Sequence, residues 1–138
     1  MKISNWFNQN KLSVNTEKTK FIIFSETEGS CLPETSITLN NRTINKTNDI
    51  KFLGVTIQSN LKWNKHCSIK AQKIIQAVSA MVRLKNILPC HALLTIYRSL
   101  IETHLNYSIL AWGNSPKIVI DRLVKLQKKA VRLIVKAK

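Results

Sequence analysis

The run Lys51-Phe52-Leu53-Gly54-Val55-Thr56-Ile57 is followed, six residues later, by Asn64-Lys65-His66-Cys67-Ser68-Ile69-Lys70-Ala71, and the hydrophobic period changes between the two. That change decides the fold. The first run is short and rich in aromatic and β-branched residues (Phe52, Val55, Ile57), which predicts a strand. Gly54 breaks it, and a glycine inside a strand marks a bulge or the close approach of another backbone or a ligand. From Trp63 the apolar residues recur at steps of four and three: Cys67, Ala71, Ile74, Val78 and Met81. This spacing predicts an amphipathic helix with Asn64 as its N-cap and Pro89 as its stop.

Working outward toward the N-terminus, Ser13-Val14-Asn15-Thr16 is turn-prone and Lys20 to Phe24 reads as a buried strand. Residues 2–10 have the pattern of the last turns of a helix, with Ile3, Trp6 and Phe7 on one side. A polar loop from Ser25 to about Ser36 precedes a hairpin in which Ile37-Thr38-Leu39 and Arg42-Thr43-Ile44 flank Asn40-Asn41. Toward the C-terminus, a second helix is expected from about His91 to Tyr107, with Leu94, Tyr97, Leu100, Ile101 and Leu105 inward and a break at Gly113-Asn114. Ser115-Pro116 then opens a third helix, as N-cap and first helical residue, that runs to the end of the chain. The expected fold class is α+β: a small antiparallel sheet in residues 1–60, then a three-helix bundle in 61–138.

The chain has 138 residues, a hydrophobic content of 44% and 21% charged residues, ordinary for a chain that buries a core. Its charge is not ordinary. There are 22 Lys+Arg against 7 Asp+Glu, a formal +15, and all but two of the acids precede residue 60. Such a balance favours a polyanionic partner over an acidic small molecule. Cys31, Cys67 and Cys90 have no disulfide-framework spacing, and no apolar leader opens the chain, so a reduced, intracellular setting is expected. The Asn-x-Ser/Thr triplets at Asn41, Asn45 and Asn106 are then chance matches. The most apolar region, Ile87 to Trp112, is interrupted by His91, Arg98, Glu102 and His104, which argues against a membrane span.

Catalytic chemistry has little to work with. Two-metal polymerases and nucleases need converging carboxylates, and this sequence has no Asp-Asp or Asp-x-Asp. Glu26 and Glu28 read as solvated loop charges. The dipeptides His66-Cys67 and Cys90-His91 lack the spacing of zinc ligands, and Cys67 falls on an apolar stripe. The third helix carries more. Val119, Leu123, Leu126, Ala130, Leu133 and Ile134 form an apolar face, while Arg122, Lys125, Lys129, Arg132 and Lys136 recur at three- and four-residue steps. A merely solubilising face mixes signs, and Asp121 alone offsets this one. The stripe points to a polyanion.

The order of motifs resembles one family. Trp6-Phe7, Asn10-Lys11-Leu12-Ser13-Val14-Asn15 and Lys18-Thr19-Lys20-Phe21-Ile22-Ile23-Phe24 are similar to the segment after the catalytic aspartates in reverse transcriptases of non-LTR (LINE-type, Jockey-like) retrotransposons. Phe52-Leu53-Gly54-Val55 resembles that family's primer grip. Leu61-Lys62-Trp63 with His66, Arg83-Leu84-Lys85, Leu88-Pro89, His104-Leu105-Asn106-Tyr107, Trp112-Gly113-Asn114 and Leu126-Gln127-Lys128-Lys129-Ala130 follow in the family's order. The resemblance implies the end of a palm over 1–60, including a primer-grip hairpin, and a helical thumb over 61–138. It implies that Lys18 or Lys20 approaches the incoming nucleotide's phosphates and that Gly54, with Phe52 and Leu53, lets the hairpin come close to the primer backbone. Trp63 and His66 would fix the palm–thumb joint by packing. The third-helix stripe would lie along an RNA–DNA hybrid, recognised by phosphates and shape without base readout.

The family's Tyr/Phe-x-Asp-Asp motif is absent from this sequence, so the expectation is a fragment without polymerase activity of its own. It would hold no cofactor, Mg²⁺ belonging to the full-length enzymes. Its partner would be an RNA–DNA hybrid or other nucleic acid together with the upstream palm and fingers, with no membrane, and its place in the cell nuclear. Two other readings are a stand-alone basic helical module that binds single-stranded nucleic acid and a C-terminal helix that lies on a membrane surface.

Overall fold

A computed structural model describes residues 3–25, 36–39 and 42–136. The chain divides into two compact units, Met1–Leu61 and Lys62–Lys138. The fold class is α+β, small sheets followed by helices.

In the first unit, helix α1 (Ile3–Gln9) brings the Trp6 and Phe7 rings edge to face with centroids 5.3 Å apart. Strands β1 (Lys20–Phe21), β2 (Ile37–Leu39) and β3 (Arg42–Lys46) form a sheet in the order β1-β3-β2. The predicted hairpin is present as the antiparallel β2–β3 pair, with Thr38 opposite Thr43; its turn, Asn40-Asn41, lies outside the described residues. The expectation of one antiparallel sheet is corrected in two respects. β1 runs parallel to β3, because a long connection rather than a tight turn separates them. A second, separate two-stranded sheet consists of β4 (Asp49–Phe52) and β5 (Val55–Gln58). The expected strand over Lys51 to Ile57 is therefore a hairpin. Phe52 pairs with Val55 across a two-residue turn in which Leu53 has φ 45° and Gly54 φ 80°. Positive φ at both central residues is the turn whose twist matches the flanking strands. The glycine marks this reversal and not a bulge. The buried strand expected over Lys20 to Phe24 shrinks to two residues, and Phe24 is exposed.

The second unit is built on α2 (Asn64–Leu84), a helix joined by the π-helical turn described below, and α6 (Lys117–Ile134). The N-cap of α2 is Trp63, at φ 59°, and not Asn64. The helix ends at Leu84, well before Pro89, which instead caps α3 (Cys90–Tyr97). α3 passes through a π-helical turn, Arg98–Glu102, into α4 (Thr103–Asn106) without leaving the helical region. This turn explains which residues point inward. Leu93, Tyr97, Ile101 and Leu105 are buried at steps of four. In a regular helix, each such step drifts about 40° around the axis, and the wider turn takes up the drift. Leu100, expected inward, is 47% exposed. The hydroxyls of Thr95, Ser99 and Thr103 donate to the carbonyls of His91, Thr95 and Ser99 at 3.0, 2.9 and 2.7 Å, supplying donors to carbonyls around the widened turn.

The break expected at Gly113-Asn114 comes earlier, where Ser108 at φ 55° separates α4 from the short α5 (Ile109–Trp112). Gly113 is required for packing: a Cβ there would lie 2.6 Å from the Ile109 carbonyl oxygen. Pro116, not Ser115, is the N-cap of α6, which stops at Ile134 short of the chain end. Fourteen residues make one buried cluster, from Cys67 to Ile134. Tyr97 accepts a hydrogen bond from Gln127 Nε2 at 3.0 Å, tying α3 to α6.

Candidate nucleic-acid interface

α6 packs its apolar face as the sequence predicted, with Leu123, Ala130 and Ile134 buried and Val119, Ile120, Leu126 and Leu133 half-buried against the core. Its opposite face carries exposed Arg122, Lys125, Lys129 and Arg132, joined by Lys117 and Lys128, which the sequence analysis left out of the stripe. Lys136 is exposed but lies beyond the helix end, at φ 51°. The charges are only partly placed for helix stability: Arg132 in the last turn suits the dipole and Asp121 precedes Lys125 by one turn. Lys117 stands at the N-terminal end with no acidic residue in the first turn, the wrong sign for the helix dipole. Lys125–Lys129 and Lys128–Arg132 are like pairs one turn apart, and such pairs destabilise a helix. A face held against these costs is suited to a ligand that neutralises it.

Residues at the start of the helical unit form an aromatic cluster with Trp112. The buried His66 ring lies between Trp63 and Trp112, with centroids 6.5 and 6.0 Å away. Trp112 Nε1 donates to the Tyr107 carbonyl at 2.9 Å, and Ser115 Oγ donates to the Trp112 carbonyl. Burial, and secondarily the ammonium of Lys70, hold the His66 imidazole below its ordinary value. Burial pushes the Cys67 thiol up, and a hydrogen bond with Ser115 partly offsets this. The motifs around Trp63, Tyr107 and Trp112 thus meet in one packed corner of this unit.

In the strand unit, Asn15 Oδ1 accepts from the backbone N–H groups of Glu17 and Lys18, both at 3.1 Å, so Lys18 sits in a tight turn. Lys20 opens β1 opposite Asn45. Both lysines are exposed. Phe52 and Leu53 project from the hairpin tip, 60% and 76% exposed. The candidate residues therefore occupy separate elements: the Lys18–Lys20 turn, the Phe52-Leu53-Gly54 tip and the α6 face. Among the described residues no group of three or more His, Cys, Asp or Glu side chains is placed to hold a metal ion, and a two-metal centre does not fit them. Glu26, Glu28 and Cys31 lie outside the described residues. No described helix is long and apolar enough to cross a membrane.

Fold and face together define an α+β chain whose helical unit presents a strongly basic helix face, with Asp121 its one acidic residue. Against proteins of known function, the chain is 26% identical over 132 residues to the RNA-directed DNA polymerase from mobile element jockey of Drosophila melanogaster, a distant relationship covering 94% of this chain. The chain spans 14% of that protein's length. No family model and no solved structure matches it.

Proposed function

We propose that this chain is the palm-end and thumb portion of a non-LTR reverse transcriptase and that it binds template–primer without sequence preference. The observation that carries this reading is the predominantly basic face of α6, in a chain distantly related along nearly all its length to an RNA-directed DNA polymerase. Arg122, Lys125, Lys129 and Arg132, with Lys136 beyond the helix end, track the phosphates of an RNA–DNA hybrid. The Phe52-Leu53-Gly54 tip serves as primer grip: a two-residue turn carrying apolar side chains packs on sugars while its backbone approaches closely. Lys18 or Lys20 faces the phosphates of an incoming nucleotide. The chain alone does not polymerise, since its described residues hold no carboxylate cluster for two ions.

Binding of a labelled RNA–DNA hybrid, followed by fluorescence anisotropy over a salt series, tests this. On duplex DNA each neutralised phosphate contributes a slope of roughly −0.9 in log K against log salt, and the same order applies here. The triple reversal Lys125→Glu, Lys129→Glu, Arg132→Glu is expected to lose most of the affinity and flatten the slope while keeping the wild-type helical circular dichroism. Reversal of Lys11, Arg42 and Lys46 is expected to cost much less. Equal losses in both triples would reduce the binding to diffuse attraction, and preference for single strands over the hybrid would favour a stand-alone single-strand-binding module.

A further inference from the structure

A second basic site lies in the helical unit, away from the stripe of α6. Lys73, Gln76, Ala77 and Ala80 of α2 line an open groove of about 360 Å³ with Leu100 and His104 of the facing helix. Ala77, Ala80 and Leu100 give it apolar lining, and Lys73, Gln76 and His104 give it polar lining. Lys70, one turn earlier and outside that lining, is only 8% exposed, and its ammonium stands 4.9 Å from the centre of the Tyr107 ring. Lys73 of α2 and His104 of the other helix thus line one groove, and α2 contains no acidic residue.

Burial lowers the affinity of His104 for a proton, and the charges of Lys70 and Lys73 act on it to lower it further. Glu102, two residues earlier on the same helix, lies about 200° around the axis from it. Tyr107 is the other titratable group on that helix near the cluster. Cationic donors around a floor of small apolar side chains match a sugar–phosphate unit: oxyanion on the ammonium and imidazole, pentose on the alanines and leucine.

We propose that this groove is a phosphate site, distinct from the α6 face, that takes one sugar–phosphate unit of a nucleic-acid strand with His104 protonated. The bound oxyanion offsets the two lysines, so proton and phosphate bind together. By linkage, each strengthens the other by the same factor. A phosphodiester does not itself titrate near neutrality, so tighter binding at lower pH originates in the protein.

The experiment uses the full chain with histidine-labelled NMR, following His104 alone, with a single-stranded oligonucleotide, and with inorganic phosphate. The expected result is a His104 midpoint raised by about one unit on adding oligonucleotide, which corresponds to a gain in affinity on acidification that approaches about tenfold once the pH passes below the free midpoint, at constant ionic strength. His104→Gln is expected to abolish that gain, and Lys73→Glu to abolish the shift. The triple reversal on α6 is expected to keep both, so failure of the α6 reading and failure of this one are distinguishable. A shift produced by inorganic phosphate but not by the oligonucleotide would overturn the strand as ligand. No shift with either would overturn the site.

Discussion

The two units bury their hydrophobic residues very differently. The helical unit gathers fourteen residues into one cluster, with Ala71, Ile74, Met81, Leu93, Ile101 and Ala130 fully inaccessible. In the strand unit, Ile44 and Val55 are the buried hydrophobics among the described residues, while Leu12, Phe24, Phe52 and Leu53 remain more than half exposed. Helices satisfy their backbone hydrogen bonds within themselves, so three amphipathic faces suffice for a core. Strands of two to five residues must find neighbours, and short sheets leave edges and faces open. Exposure alone does not separate the units, since Ile87, Leu110 and Ile118 of the helical unit are 75%, 99% and 82% exposed. The helical unit has one continuous core, and the strand unit has scattered burial.

Amide hydrogen exchange gives the largest expected contrast. The interiors of α2, α3 and α6 are expected to exchange through global unfolding and β1 to β5 through local opening, so that the strands exchange faster by orders of magnitude. Equal protection would break the comparison. Core truncation sharpens it: Leu93→Ala is expected to cost about 2–5 kcal/mol in urea unfolding, and Ile44→Ala distinctly less. An equal cost at Ile44 would show a second core as tight as the first.

A smaller effect separates the units by pH. All three histidines follow residue 61, and both His66 and His104 have affinities for protons below the ordinary value of 6.5. A histidine whose folded pKa lies below its unfolded pKa stabilises the fold fully above the unfolded value, and that contribution falls away as pH drops toward the folded one. The urea midpoint of the helical unit is expected to fall between pH 7.5 and 5.5, with a shallower fall in His66→Gln. A midpoint that rises on acidification would contradict the assigned direction.

The sequence showed most where a repeating pattern carries the information. The apolar and basic faces of α6 were legible from spacing alone, as was α2, because each rests on many residues at helical steps. Single-residue decisions were not legible. Leu53 and Trp63 occupy positive φ, where a branched or bulky side chain is disfavoured, so neither the hairpin reversal nor the start of α2 carried its usual signal. Asn64 and Ser115 have the chemistry of N-caps, yet Trp63 and Pro116 hold those positions. The groove at Lys73 and His104 escaped notice because its members come from two helices. Lys70 and Lys73 lie on one turn, but nothing in spacing shows what faces them.

The π-helical turn over Arg98–Glu102 has a consequence for insertions and deletions. It amounts to one residue more than the regular helix needs between Tyr97 and Ile101. Loss of a residue there converts the burial steps of four, four and four along Leu93, Tyr97, Ile101 and Leu105 into four, three and four, the ordinary helical spacing. The same side chains then still face the core. Elsewhere in these helices, losing a residue rotates everything beyond it by about 100°. At this turn, a change in chain length is absorbed by the outer surface, and the buried register survives.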